Sequence, residues 1–182
     1  MASSALPLVV ARSRSSYILP RNIISFTYNS PATNRKMSSI LKPVRTHDAC
    51  PPAGPYSQAI KANGLVFVSG QIPADKEGNI ITGSIEEQTE AVFANLAAVL
   101  KASNSSFNKV VKVNAFLSDM ANFARMNSVY EKYFSGHKPA RSCVAVRELP
   151  KGVDVEIECI ALEDPTPGKK SAVSAEAEGE EE

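Results

Sequence analysis

Arg141, in the run ARSC (Ala140–Cys143), stands shortly ahead of the strand-like VDVEIECIA (Val153–Ala161). A guanidinium can grip a carboxylate through two parallel N–H bonds. Glu156, on an otherwise apolar strand and partly shielded from water, would hold its proton to a higher pH and could exchange it near neutrality. A cation that fixes an acid and a carboxyl that moves a proton together sketch a small-molecule site. Alternation along the strand puts Val155, Ile157, Cys159 and Ala161 on one face and Asp154, Glu156, Glu158 and Ile160 on the other. Plainer readings stay open from spacing alone: Arg141 as an edge-strand arginine paired with Glu158, and the three acids as a solvated face. Cys143, two residues past Arg141, shares its face. No histidine is near it in sequence to activate the thiol, so its backbone N–H is the more modest candidate donor. Tyr56, after Gly54-Pro55, reads as a pocket wall or as core, and Asn127, amid apolar helix positions, needs a partner if buried.

These groups need elements to position them. Asp48–Pro55 (DACPPAGP) is turn-rich, and two short strands follow, Tyr56–Lys61 and Leu65–Ser69, joined by the hairpin signal Asn63-Gly64. Ser84 and Glu87 form a capping box ahead of a helix to Ala102, with Ile85, Val92, Phe93, Leu96, Val99 and Leu100 as its apolar stripe. Lys109–Leu117 alternates as a half-buried strand. Asp119 or Asn122 caps a second helix to Phe134, whose apolar side is Phe123, Met126, Tyr130, Tyr133 and Phe134. Gly136 and Pro139 end it, and Ala140–Val146 and Val153–Leu162 are the last two strands. The order ββ, α, β, α, ββ predicts an α+β domain, a mixed sheet with two helices on one face. Two helices cannot cover both faces, so oligomerisation through the bare face is expected.

Charge divides the 182 residues into three parts. Residues 1–36 carry Arg12, Arg14, Arg21, Arg35 and Lys36 and no acid, with apolar pieces at Leu6–Val10, Tyr17–Leu19 and Ile23–Phe26, a composition that fits an organellar transit peptide. Residues 37–163 are the near-neutral domain, and a start at Met37 would give a cytoplasmic form. Residues 164–182 add Lys169 and Lys170 against Asp164, Glu176, Glu178, Glu180, Glu181 and Glu182, and are expected to form a disordered acidic tail. No run approaches about eighteen consecutive apolar residues, so no membrane span is expected. Three cysteines without a CxxC, and only His47 and His137, argue against disulfides and a metal site. A neutral body without Trp lacks the electrostatic footprint of a nucleic-acid binder.

The words GPYSQA (Gly54–Ala59), SGQIP (Ser69–Pro73), NSVYEKYF (Asn127–Phe134), HKPARSCV (His137–Val144) and LPKGVDVEIECIA (Leu149–Ala161) resemble, in order and spacing, the RidA (YjgF) family over residues 40–163, and most resemble its fungal mitochondrial members with their basic leader. The resemblance implies a chorismate-mutase-like fold, a homotrimer with a central barrel, and clefts between subunits. It implies a cofactor-independent deaminase of reactive enamines and imines left by pyridoxal-phosphate enzymes such as threonine dehydratase, chiefly 2-iminobutanoate and 2-iminopropanoate, in the mitochondrial matrix. Carried over by motif, Arg141 binds the substrate carboxylate with the Cys143 N–H assisting, and Glu156 handles the attacking water. Tyr56, Ser69 and Gly70 line the cleft and Asn127 shapes it. Lys138, where some relatives have an aromatic residue, leaves substrate breadth open, and the extension beyond Glu163 departs from the family. The alternatives are a non-catalytic small-acid-binding or chaperone-like trimer, and a ribonuclease or translation inhibitor. The second would want a strong acid–base pair, which two scattered histidines do not supply.

Overall fold

The computed structural model describes residues 41–164; the basic leader, and the acidic tail from residue 165 on, lie outside the described residues. Strand β1 is Lys42–Val44, β2 Ala59–Ala62 and β3 Leu65–Gln71; helix α1 is Ile85–Ala102, β4 Val110–Leu117, α2 Phe123–Tyr133, β5 Ala140–Ala145 and β6 Val155–Leu162. The strands make one six-stranded sheet in the order β1-β2-β3-β6-β4-β5. Only β4 and β5 run parallel, with α2 as their crossover, so the sheet is mixed.

Local chemistry explains the boundaries. Asn63 (φ 51°) and Gly64 (φ 79°) both take the left-handed conformation that a two-residue hairpin between right-twisted strands demands. At the start of α1 the Ser84 N–H donates to Glu87 Oε2 (2.7 Å) and the Glu87 N–H to Ser84 Oγ (3.3 Å), which satisfies two donors the helix leaves unpaired.

One face of the sheet is dry. Val66, Val68, Val113, Ala115, Leu117, Val155, Ile157 and Cys159 pack beneath Val92, Phe93, Leu96 and Val99 of α1 and Met126 and Val129 of α2. Phe93, fully buried, stacks on Tyr133 (centroids 4.3 Å apart) and meets Tyr130, Phe107 and Phe134 edge-on. Burying each such side chain contributes about 1.5–3 kcal/mol. Among the described residues no helix covers the other face, which carries Phe67, Phe116, Val144, Ile160 and Leu162 around Lys112, Asn114, Ser142, Glu156 and Glu158. Phe67, Val144 and Leu162 are between 42% and 49% exposed, far more than a strand interior tolerates in a finished assembly.

Several sequence expectations shift. Tyr56 does not open a strand: its N–H donates to Gly54 O (2.9 Å) in a turn, and pairing begins at Ala59. The next strand continues past Ser69 to Gln71 through an irregularity in its pairing with β6. The three-residue β1 went unforeseen, because a segment so short carries no periodicity. Asp119 caps a single helical turn at Met120–Asn122 by accepting from Ala121 N, and the side chain of Asn122 caps nothing. Asp164, expected to begin the acidic tail, is tied to the body: its N–H donates to Asn104 O (2.8 Å) and its carboxylate pairs with Lys109.

Candidate active site

Arg141 is the second residue of β5, an edge strand, and register places it opposite Val113 and hence on the helix-covered face. Its guanidinium lies over the Tyr130 ring, 4.4 Å from the centroid, and 5.6 Å from that of Phe123. Nη1 donates to Asn127 Oδ1 at 2.6 Å. The pairing with Glu158 does not form, because Glu158 projects from the opposite face and accepts from Asn114 Nδ2 (2.8 Å). Asn127 thus finds the partner its position required. A cavity of about 350 Å³ opens at this spot, lined by Arg141, Asn127, Tyr130, Phe134 and Pro139, with the exposed Glu131 and Lys138. A larger cleft, about 660 Å³, runs beside Arg45, Pro51, Pro52 and Tyr56. Its walls are largely proline, and of its polar groups the Tyr56 hydroxyl and the Gln58 amide are already engaged with backbone, so the smaller cavity is the better candidate for substrate recognition. Cys143 follows Arg141 on the same face, half-buried; burial pushes its thiol up and only partly yields to the Arg141 charge, so it stays protonated at neutral pH and is a poor nucleophile.

Glu156 occupies the other face of β6, paired with Phe116 of β4. Its carboxylate presses against Gly70, where any Cβ would overlap Oε1 and come within 2.7 Å of Cδ. Glycine is therefore required there for close approach, at the irregular end of β3. Burial, and then the charge of Glu158, raise the Glu156 pKa above the ordinary 4.5. Asp154, which alternation put on that same face, lies just ahead of β6 and turns to the helix side instead. Asp154 accepts from Ser118 Oγ (2.7 Å) and Gln88 Nε2 (2.9 Å), and these bonds lower its pKa. Tyr56 and Gly70 line one small recess. The Tyr56 ring is 47% exposed and its hydroxyl accepts from Ala53 N (3.0 Å). Ser69 Oγ donates to Ser57 O (2.7 Å), which holds the strand end to the proline loop.

The expected residues therefore fall into two groups, each a candidate half-site. Arg141, Asn127 and Cys143 sit on the helix side of β5; Glu156, Gly70, Ser69 and Tyr56 gather at β3 and β6. Within one chain Arg141 and Glu156 face opposite sides of the sheet. Phe123 and Tyr130, read from the sequence as core, are contacts of the key arginine. Their spacing with Asn127 was the available signal, since positions i, i+4 and i+7 share a helix face.

Comparison with known proteins gives the family. The family model described as Endoribonuclease L-PSP matches residues 46–163. "Protein MMF1, mitochondrial" of Saccharomyces cerevisiae is 54% identical over 129 residues, 71% of this chain and 89% of that protein. "Reactive Intermediate Deaminase A, chloroplastic" of Arabidopsis thaliana is 40% identical over 166 residues, 88% of this chain and 89% of that protein. The crystal structure of yeast Mmf1 superposes with a TM-score of 0.67 at 56% identity, covering 68% of this chain and 98% of that one. With the sheet, helices and motif residues in these places, the chain belongs to the Endoribonuclease L-PSP (RidA/YjgF) family.

Proposed function

We propose that the protein hydrolyses small 2-imino acids, chiefly 2-iminobutanoate and 2-iminopropanoate, to 2-oxo acids and ammonia, in clefts between the copies of a homotrimer in the mitochondrial matrix. The observation that carries this is Glu156, a carboxyl whose pKa burial raises, set against Gly70 with no hydrogen-bond partner among the described residues. A protein that merely binds small acids needs Arg141 but has no use for that group. The Arabidopsis relative named as a reactive intermediate deaminase supports the reaction class, and the yeast relative named as mitochondrial supports the compartment.

The Arg141 guanidinium holds the substrate carboxylate and fixes the adjacent C=N carbon. Water adds to the protonated imine; as the C–O bond forms, Glu156 takes the water proton and the π pair moves to nitrogen. Glu156 returns the proton to that nitrogen; the C–N bond then breaks with its pair leaving on ammonia, and the hydroxyl oxygen's pair forms the carbonyl as Glu156 takes the O–H proton. Ammonia carries that proton away as ammonium, which leaves Glu156 ionised again. Protonation makes the imine electrophilic enough that orientation and one proton shuttle suffice, with no cofactor entering the scheme. Because Arg141 and Glu156 face away from each other in one chain, the substrate is sandwiched between the Arg141 half-site of one copy and the Glu156 half-site of another.

A ribonuclease reading, which the family description brings with it, would ask for a histidine acid–base pair. His47 is exposed after β1, and a ring nitrogen of His137 is bonded to Val110 O at 2.8 Å. Neither histidine joins a half-site.

The test couples the protein to a threonine dehydratase with semicarbazide as the competing trap for the imine. Wild type should divert imine from the trap; Arg141→Ala and Glu156→Ala should not, while the Glu156 variant still binds a 2-oxo acid. Full activity in both variants would end this assignment.

A further inference from the structure

We infer that α2 presents Phe123, Asn127 and Tyr130 as a cradle that sets the plane of the Arg141 guanidinium while leaving its charge intact, which makes Tyr130 and Phe123 positioning residues for carboxylate recognition. The inference rests on Arg141 being the substrate's carboxylate anchor, and it adds how that anchor is aimed. The three residues fall on one face of α2. An arginine on an edge strand has many rotamers, and here two contacts remove that freedom: the Tyr130 ring 4.4 Å beneath the guanidinium and Asn127 Oδ1 2.6 Å from Nη1. The Nε–Nη2 edge keeps no partner among the described residues and is free to meet a planar carboxylate.

Two details fix the roles. Asn127 is a neutral acceptor, so it orients the cation without cancelling it, as an aspartate would. The Tyr130 hydroxyl is buried with no hydrogen-bond partner among the described residues, and burial raises its pKa, so it remains an unionised phenol. The ring therefore does the orienting, and the hydroxyl adds nothing to it.

The experiment measures binding of 2-oxobutanoate by calorimetry, alongside imine turnover, for the full chain and its variants. Tyr130→Phe, which keeps the ring beneath the guanidinium, should lose far less binding than Tyr130→Leu. Tyr130→Leu should weaken binding and raise KM by about tenfold with kcat within about threefold, because a carboxylate anchor acts equally in ground and transition states. Asn127→Asp, nearly isosteric, should weaken binding by about a hundredfold without unfolding the protein. Should Tyr130→Leu fail to fold, Phe123→Leu at the half-buried rim reads the same effect at about threefold. Unchanged binding in the leucine variant that folds, equal losses in Tyr130→Phe and Tyr130→Leu, or a wild type that does not bind 2-oxobutanoate would overturn the cradle. The same pattern of binding in a protein that turns over no imine would keep the cradle and overturn the deaminase.

Discussion

At the scale of single residues, the proposed role of Glu156 turns on one absent side chain and one pair of like charges. Gly70 leaves room for the Glu156 carboxylate, and a Cβ there meets its Oε1, Cδ and Cγ. Because the obstacle is the end of a flexible side chain, Gly70→Ala should fold with a melting temperature close to wild type while swinging the carboxyl aside. A displacement of about 1 Å at a reacting group costs on the order of a hundredfold, so kcat should fall by about that much; undiminished turnover in Gly70→Ala would show that the carboxyl need not sit there. The like charges set the pH dependence. Burial and Glu158 both make Glu156 harder to ionise, and water activation requires the ionised form, so activity should rise with pH through a limb above the ordinary 4.5. Removing the negative neighbour eases ionisation, so Glu158→Gln should move that acid limb to lower pH and leave the plateau in place. A limb that stays put, or moves upward, in a pH–rate profile contradicts the assignment of the group.

At the scale of elements, the loop that carries Tyr56 and the segment that follows Gly70 at the end of β3 are pinned by a buried amide network. Asn95 of α1 accepts from Cys50 N (3.0 Å) and donates to Ile72 O (3.1 Å) and Ala74 O (2.8 Å). Gln58 completes the network by donating to Cys50 O (2.9 Å) and accepting from Thr46 N (2.7 Å). Asn95→Ala strands those buried groups, and each unsatisfied one costs about 1–3 kcal/mol. The variant should lose about 2–4 kcal/mol in denaturant unfolding, with turnover falling further because Tyr56 and Gly70 lose their frame; a loss no larger than that of a surface change would remove the network from the account. The same comparison marks what a sequence can disclose. The capping box at Ser84–Glu87 and the turn at Asn63-Gly64 were legible because each is a bargain among neighbouring residues. Face parity along β6 was legible for the same reason, and it already separated Glu156 from Cys159. Asn95 and Gln88 were not, since a polar residue on a buried helix stripe looks like a flaw until its distant partners, Cys50 and Asp154, are in place. Nor was the aim of Arg141: that depends on β5 lying parallel to β4 beneath α2, a long-range pairing that no local pattern encodes.

At the scale of the whole molecule, one sheet face is finished and the other is not. The open face mixes Phe67, Phe116, Val144 and Ile160 with Asn114–Glu158 and Lys112–Ser142 hydrogen bonds, a surface suited to pairing with copies of itself. Under the proposed reaction this incompleteness takes on a chemical meaning, because only a second chain would carry a Glu156 to an Arg141 pocket. The expected consequence is rescue between two dead proteins. Arg141→Ala keeps every Glu156 half-site and Glu156→Ala keeps every Arg141 half-site. If the two variants are unfolded together in equal amounts and refolded as mixed trimers, a cleft works only when its arginine comes from one variant and its carboxylate from the other. Random assembly makes that true of about one cleft in four, so the mixture should recover about a quarter of wild-type activity while each variant refolded alone stays inactive. A same-chain site would give none, since every chain lacks one of the two groups; a mixture as dead as its parents, with mixed trimers verified by mass, would therefore place both residues in a single chain's cleft and remove the need for the partner.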